Sequence, residues 1–168
     1  MNYHKIEKTS VANGTGIRVV LWVSGCSLHC KGCHNPETWS LCSGKLFDEE
    51  AKRELFEALD KPYIQGITLS GGHPLEEGNR TAIYFLVQEI KKRFPQKDIW
   101  LYTGYTWDEI FKNGSREMRK ILYWVDVLVD GKYIEEQRDI TLKWRGSRNQ
   151  RVIDVKESLK RNEVVLYN

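Results

Sequence analysis

Three cysteines in one short run constrain this chain more than any other feature of its sequence. Cys26, Cys30 and Cys33 follow a C-x3-C-x2-C spacing, and the apolar, β-branched segment 18–23 before them predicts a buried strand. The fold must therefore place a tight, thiol-rich loop directly after a strand, where α/β folds bind ligands. Because iron–sulfur clusters usually have one thiolate for each exposed iron, three thiolates leave one iron of a [4Fe-4S] cluster open for chemistry.

A structural zinc loop, or a set of buried thiols, is the alternative interpretation of these cysteines. Zinc sites usually complete a tetrahedron with paired C-x2-C units or with histidines. The strand before the loop and a glycine pair further along the chain favour the cluster. Cys42 lies beyond the loop in a polar segment, and we interpret it as a spare thiol rather than a fourth ligand. We expect His29 and His34, which flank the ligands, to tune the cluster or to pack rather than to bind metal.

Composition places the chain among globular proteins and excludes several functional classes. Its 168 residues fit one domain, 1–168, with 40% hydrophobic and 29% charged residues. The net charge of +3 is spread along the chain, so nothing points to nucleic acid. No signal-peptide pattern opens the chain, and no apolar run approaches the ~18 residues of a membrane span. We therefore expect a cytoplasmic protein that binds neither membrane nor nucleic acid.

Apolar segments and helical patterns alternate along the chain. The sequence predicts strands at 18–23, 64–70, 98–103, 126–130 and 163–167, and helices at 47–59, 79–94 and 107–124, the last broken near Gly114. This alternation indicates an α/β fold with a parallel sheet made of right-handed βαβ units. A complete eight-fold barrel needs about 200 residues or more, so we expect an incomplete, open (β/α) barrel.

A pair of glycines follows the second predicted strand, in the run Gly71-Gly72-His73-Pro74. Adjacent glycines allow the backbone to approach a ligand closely and to adopt torsions that a Cβ would forbid, and Pro74 stiffens the exit from the turn. Taken alone, the run is explained better by a simple turn between a strand and a helix.

Taken together, the cysteine spacing and the glycine pair resemble the signature of the radical S-adenosylmethionine enzymes. The resemblance implies a [4Fe-4S] cluster on Cys26, Cys30 and Cys33, whose open iron chelates the methionine end of S-adenosylmethionine. It also implies that the backbone at Gly71 and Gly72 meets the amino group of that cofactor.

His73 departs from the signature, because that family usually has Glu or Asp at this position. The resemblance makes His73 a cofactor-binding candidate. Imidazole is at best a neutral acceptor, however, and becomes cationic near its ordinary pKa of about 6.5. We therefore expect the affinity for S-adenosylmethionine to weaken as the pH falls toward about 6, and Glu at this position to strengthen it.

Further segments resemble the glycyl-radical-enzyme activases, a branch of the same superfamily. Segments 13–18 and 33–39 look like the activases in general. Segments 102–105, 126–133 and 144–151 narrow the resemblance to the anaerobic ribonucleotide reductase activating proteins. The resemblance covers most of the chain and leaves out only its last segment.

This family resemblance implies a reaction and its partners. A flavodoxin-type donor would reduce the cluster, and S-adenosylmethionine would be cleaved to methionine and a 5′-deoxyadenosyl radical. The radical would take hydrogen from a glycine of the large anaerobic ribonucleoside-triphosphate reductase subunit. The resemblance also makes Thr103, Asp130 and Lys132 candidates for contact with the cofactor or a bound cation. Asp130 and Lys132 could equally form a solvated pair at a strand end.

Two other functions stay open on the sequence alone. One is a radical S-adenosylmethionine enzyme that acts on a small molecule, and the other is a zinc-loop binding module without enzymatic activity. A short, open barrel leaves its mouth available to a polypeptide loop, which favours the activase.

Overall fold

All seven strands of the chain belong to one sheet. A computed structural model describes residues 1–168. The strands are β1 (Asn2–Ser10), β2 (Arg18–Val23), β3 (Lys45–Leu46), β4 (Gly66–Gly71), β5 (Asp98–Tyr102), β6 (Val127–Asp130) and β7 (Arg151–Asp154). The helices are α1 (Glu49–Leu59), α2 (Glu77–Arg93), α3 (Arg116–Leu122) and α4 (Val155–Arg161). None of these helices combines the length and the apolar character needed to cross a membrane.

Four parallel strands form the middle of the sheet, and antiparallel strands flank them. The order across the sheet is β3-β1-β2-β4-β5-β6-β7, and it does not close into a barrel. β2, β4, β5 and β6 run parallel, whereas β1, β3 and β7 pair antiparallel with their neighbours. The predicted α/β class and open sheet are confirmed. The predicted parallel sheet is correct for the four central strands only, because the sheet as a whole is mixed.

The two ends of the chain differ most from the predicted elements. β1 is absent from the prediction, because its sequence mixes charged and polar residues without an apolar run. The predicted strand at 163–167 is wrong, since a single bridge joins Leu166 to Ile153 and no strand forms. β7 and α4 occupy residues 151–161 instead, where the side chain of Asp154 caps α4.

Local signals in the sequence determine where the helices begin and break. The side chain of Asp48 accepts a hydrogen bond from Ala51 N (3.0 Å) and caps α1. α1 and α2 begin and end within two residues of their predicted bounds. The predicted break at Gly114 is also confirmed, because a π-helical turn (Glu109–Asn113) precedes it and α3 follows it.

The two faces of the sheet are covered differently. On one face, strand residues such as Leu21 and Leu69 pack with α1, α2 and α3 in a cluster of 27 buried residues. On the opposite face, a cluster of 3 buried residues is centred on Trp100 and covered by Trp144 and Tyr167. Successive residues of a strand point to opposite faces of the sheet, so alternate residues pack against the helices and form the main core. The other residues lie on the opposite face, which no helix covers near the strand ends.

Candidate functional site

The carboxyl ends of β2 and β4 bring the cysteine segment and the glycine pair together. The two strands pair in parallel with Val23 opposite Gly71, so the segments that follow them leave the sheet at the same edge. Gly72 N donates to Val23 O (2.8 Å), and His73 N donates to Gly25 O (2.7 Å). These two hydrogen bonds hold the glycine turn against the segment that leads to the cysteines.

Both glycines of this turn are required by their surroundings. Gly71 has φ = +100°, a conformation that residues with a Cβ rarely adopt. A Cβ on Gly72 would lie 2.7 Å from Gly25 O and 3.0 Å from Thr38 O, and both of these are backbone atoms. Gly72 lines a cavity, and its carbonyl oxygen accepts no hydrogen bond within the protein. A backbone acceptor of a residue that lines the cavity is therefore left without a partner in the protein.

Residues 24–39 form the cysteine loop, which its own backbone closes at the base. Gly25 N donates to Thr38 O (2.7 Å), and Cys26 N donates to Trp39 O (2.8 Å). The cysteines therefore lie on a loop whose two ends are fixed against each other and against the glycine turn.

The two histidines of the cysteine loop contact aromatic rings. His29 has φ = +42°, and its ring stacks on Trp39 with 4.4 Å between the centroids. His34 meets Tyr133 edge-on at 5.8 Å. These contacts match the expectation that the histidines pack beside the ligands.

All three cysteines of the loop line the same cavity, which has a volume of about 340 Å³, within the usual range of cofactor sites. Cys26, Cys30 and Cys33 are free and partly buried, whereas Cys42 is exposed and does not line the cavity. Burial raises the pKa of the Cys26 thiol, although backbone hydrogen bonds in the loop oppose that shift. No three His, Cys, Asp or Glu side chains converge closely enough to hold one metal ion, whereas a cubane cluster spreads its thiolates over separate irons.

The cavity lies at the carboxyl ends of the parallel strands. Ser70 and Tyr102 line it from β4 and β5, and none of its lining residues is acidic. A second, larger cavity of about 580 Å³ lies between α1 and α2, away from the cysteines. Only 2 of its 9 lining residues are hydrophobic, whereas ligand sites are lined mainly by apolar side chains. We therefore assign the functional site to the smaller cavity.

His73 lies in the wall of the cavity and is almost completely buried. Its Nε2 is 2.7 Å from Thr103 Oγ1, and its ring meets Tyr105 edge-on. Burial lowers the pKa of His73 to about 4, although the neighbouring Glu76 acts in the opposite direction. This lowered pKa favours the neutral imidazole near pH 6, in contrast to the expectation from the sequence that it becomes cationic there.

Glu76 is a residue of the site that sequence analysis missed. Its carboxylate accepts hydrogen bonds from Ser27 N (2.8 Å) and Ser27 Oγ (2.9 Å), inside the cysteine loop. Partial burial acts to raise the pKa of Glu76, but the two hydrogen bonds from Ser27 lower it below its ordinary value. Its position three residues after His73, at the start of α2, is the signal that could have revealed it.

Asp130 is the last residue of β6 and Lys132 follows shortly after it, and neither lines the cavity. The buried Asp130 carboxylate accepts from Trp107 N (2.8 Å) and from Arg151 Nε (3.1 Å) and Nη2 (2.5 Å). Lys132 is exposed, and its carbonyl accepts from Asn149 Nδ2 (2.7 Å). The alternative of a solvated Asp130–Lys132 pair is wrong, because Asp130 is buried and pairs with Arg151 instead.

Thr103 does line the cavity, together with residues that were not predicted. Trp22 and Tyr102 lie on the face of the sheet opposite the helices, as the alternation along their strands requires. Gln150, from the polar loop before β7, also lines the cavity, and its Nε2 donates to Gly131 O (3.0 Å).

Known proteins resemble the chain along most of its length. The family described as "4Fe-4S single cluster domain" matches residues 12–153. A relative from Haemophilus influenzae is 46% identical over 152 residues, which cover 89% of this chain and 96% of the relative. A relative from Enterobacteria phage T4 is 47% identical over 152 residues, covering 90% and 93%, and one from Escherichia coli K12 is 42% identical over 152 residues, covering 89% and 96%. All three are named anaerobic ribonucleoside-triphosphate reductase-activating protein. The chain belongs to this family.

Membership in the family of reductase-activating proteins confirms the resemblance inferred from the sequence. The family description names a single [4Fe-4S] cluster, and the site offers a donor set of the right chemistry for it. The three cysteines and Gly72 line one cavity, and the Gly72 carbonyl accepts no hydrogen bond within the protein. The matched region also includes the glycine turn and His73.

Proposed function

We propose that this chain generates a glycyl radical on the large subunit of anaerobic ribonucleoside-triphosphate reductase. The observation that carries the proposal is that the cysteine loop and the glycine turn meet at one cavity at the carboxyl ends of β2 and β4. The names of its relatives supply the reductase as the partner. Residues 1–168 would act as one domain, an open (β/α) barrel of the radical S-adenosylmethionine type.

Cys26, Cys30 and Cys33 would hold the [4Fe-4S] cluster and leave one iron without a protein ligand. When bound, the cluster would supply the one electron needed for reductive cleavage of S-adenosylmethionine to methionine and a 5′-deoxyadenosyl radical, and this radical would take a hydrogen atom from a glycine Cα. The protein's own groups bind and orient the cofactor. The Gly72 carbonyl would accept from the ammonium group of its methionine end, and the absence of a Cβ on Gly72 lets the turn lie against the backbone of Gly25 and Thr38.

The wall of the cavity would protect this chemistry from water. Aromatic side chains of Trp22, Trp39 and Tyr102 contribute apolar surface to it. His73, which is neutral and meets Thr103 Oγ1, adds a polar group without adding charge. We further propose a flavodoxin-type reductant and a cytoplasmic location, where thiols stay reduced.

The experiment that tests this function follows hydrogen from the reductase to the cofactor. The chain is reconstituted anaerobically with iron and sulfide, reduced, and mixed with S-adenosylmethionine and large reductase subunit that carries deuterated glycine. We expect deuterium in 5′-deoxyadenosine. With unlabelled reductase we expect a doublet EPR signal, because a glycyl radical has one remaining α-hydrogen, and with deuterated glycine this doublet should collapse.

The Cys30→Ser variant is the control, and it should give neither signal. Cleavage of S-adenosylmethionine without deuterium transfer would contradict the proposed substrate and point to a small-molecule enzyme. A preparation that binds zinc but no iron would contradict the proposal that this chain is an iron–sulfur enzyme.

A further inference from the structure

The carboxylate of Glu76 connects the two halves of the site. Glu76 precedes α2, directly after the glycine turn, and its Oε2 accepts both hydrogen bonds from Ser27. Ser27 follows Cys26 in the cysteine loop. Hydrogen bonds to an ionised carboxylate are about twice as strong as those between neutral groups, so this contact fixes the loop next to its first cysteine.

Two other carboxylates lie near the loop, Glu135 beside Gly32 and the exposed Glu136, and Glu76 differs from Glu136 in its exposure. Glu136 pairs with Lys31 of the loop at 2.9 Å, but its side chain is 67% exposed. The side chain of Glu76 is only 15% exposed. Because water screens exposed charges far more than sheltered ones, the charge of Glu76 acts on the loop much more strongly than that of Glu136.

The ring of His73 lies close to the carboxylate of Glu76 but does not neutralise its charge. The distance between His73 Nδ1 and Glu76 Oε2 is 3.7 Å, and this buried nitrogen has no hydrogen-bond partner in the protein. A protonated imidazole would form a full ion pair with the carboxylate and cancel its charge. The neutral ring leaves Glu76 with a net negative charge beside the cysteine loop.

We propose that Glu76 is a positioning residue that fixes the Cys26 end of the loop and places a negative charge beside the cluster. This inference rests on the proposed function, in which Cys26, Cys30 and Cys33 hold that cluster. Reduction adds one electron to a cluster that its thiolates already make anionic. The neighbouring carboxylate opposes that addition, so it holds the midpoint potential of the cluster lower than a neutral side chain would.

Substitutions separate the effect of the hydrogen bonds to Ser27 from the effect of the negative charge of Glu76. Glu76→Gln removes the charge and keeps an oxygen that can accept from Ser27 N, whereas Glu76→Ala removes both. Ser27→Ala removes one of the two hydrogen bonds and keeps the charge. Glu136→Gln is the matched control, because it neutralises a carboxylate that also contacts the loop but lies in solvent.

The full chain and these four variants are reconstituted anaerobically, and two properties are measured without S-adenosylmethionine. These are iron and sulfide per chain, and the midpoint potential from a redox titration followed by EPR. We expect Glu76→Gln to keep the wild-type iron content and to shift the potential to a more positive value. Glu76→Ala should lose iron, Ser27→Ala should lose less, and Glu136→Gln should match the wild type in both measurements.

Two results would overturn the inference while leaving the proposed function intact. One is a Glu76→Gln protein with the wild-type potential, and the other is an equal shift in Glu136→Gln, which would show that any nearby charge has this effect. A wild-type chain that binds no iron would overturn the proposed function and this inference with it. The glutamine variant keeps the test valid if the alanine variant fails to fold.

Discussion

Replacing Asp130 with alanine should destabilise the fold and leave the binding of S-adenosylmethionine intact. The side chain of Asp130 is 1% exposed, and the substitution leaves the Arg151 guanidinium and Trp107 N without their acceptor. Breaking a buried ion pair from one side costs about 3–5 kcal/mol. Because the side chain of Arg151 is 34% exposed and can regain water, we expect the lower end, about 3 kcal/mol.

Thermal unfolding of the cluster-loaded protein measures this cost. For a chain of this size, 1 kcal/mol corresponds to about 2–4 °C in Tm, so Asp130→Ala should lower Tm by about 6–12 °C. Asp126, at the other end of the same strand, is the matched control. It accepts from Ile99 N (2.8 Å) and Lys91 Nζ (2.6 Å) but is 24% exposed, so Asp126→Ala should cost less, about 1–2 kcal/mol.

The affinity of the folded variant for S-adenosylmethionine decides between the two roles of Asp130. We expect wild-type affinity in Asp130→Ala at a temperature where it remains folded, and in the milder Asp130→Asn. If Tm is unchanged and the affinity falls at least about tenfold, equivalent to about 1.4 kcal/mol, then Asp130 contacts the cofactor and our reasoning from its hydrogen bonds is refuted.

Serine at any of the three loop cysteines should abolish the reduced-cluster EPR signal, whereas Cys42→Ser should keep full iron content, because Cys42 lies outside the cavity. Gly72→Ala should weaken S-adenosylmethionine binding, since its Cβ meets backbone oxygen at 2.7 Å; Gly78→Ala, whose Cβ meets only the flexible Leu41 side chain, should not. The buried His73 has a pKa of about 4, against about 6.5 when unfolded. The unfolded chain therefore binds more protons in that window, and stability should fall as the pH drops from about 6.5 to about 4. Urea unfolding of wild type and His73→Gln across that range should show a smaller pH dependence in the variant.

The sequence predicts the central strands well because burial on both faces leaves a strong signal. β2, β5 and β6 are apolar runs whose residues are largely buried. β1 carries no such signal, since most of its residues are half-exposed or exposed and the strand is held by its antiparallel pairing with β2. Pairing of this kind depends on backbone hydrogen bonds to another segment, which the pattern of side chains in one segment does not encode.

A similar distinction applies to the residues of the site. The cysteines and the glycine pair are predictable because each group is local, and its spacing alone carries the chemistry. Glu76 and Asp130 are not, because their roles depend on partners 49 and 21 residues away in the chain, Ser27 and Arg151. Without those partners, Glu76 looks like an exposed residue at a helix start and Asp130 like a free carboxylate at a strand end.

The face of the sheet opposite the helices differs between the amino and carboxyl ends of its strands. At the amino end of β2, the fully buried Arg18 donates to Thr68 Oγ1 (3.0 Å), pairs with Asp98 and lies over the Trp100 ring at 5.2 Å. These large side chains fill that end. At the carboxyl end, β4 finishes in small residues, 70–72, which leave space beside the cysteine loop. The cavity on this face therefore lies next to the three thiols, where the cofactor of the proposed function would bind.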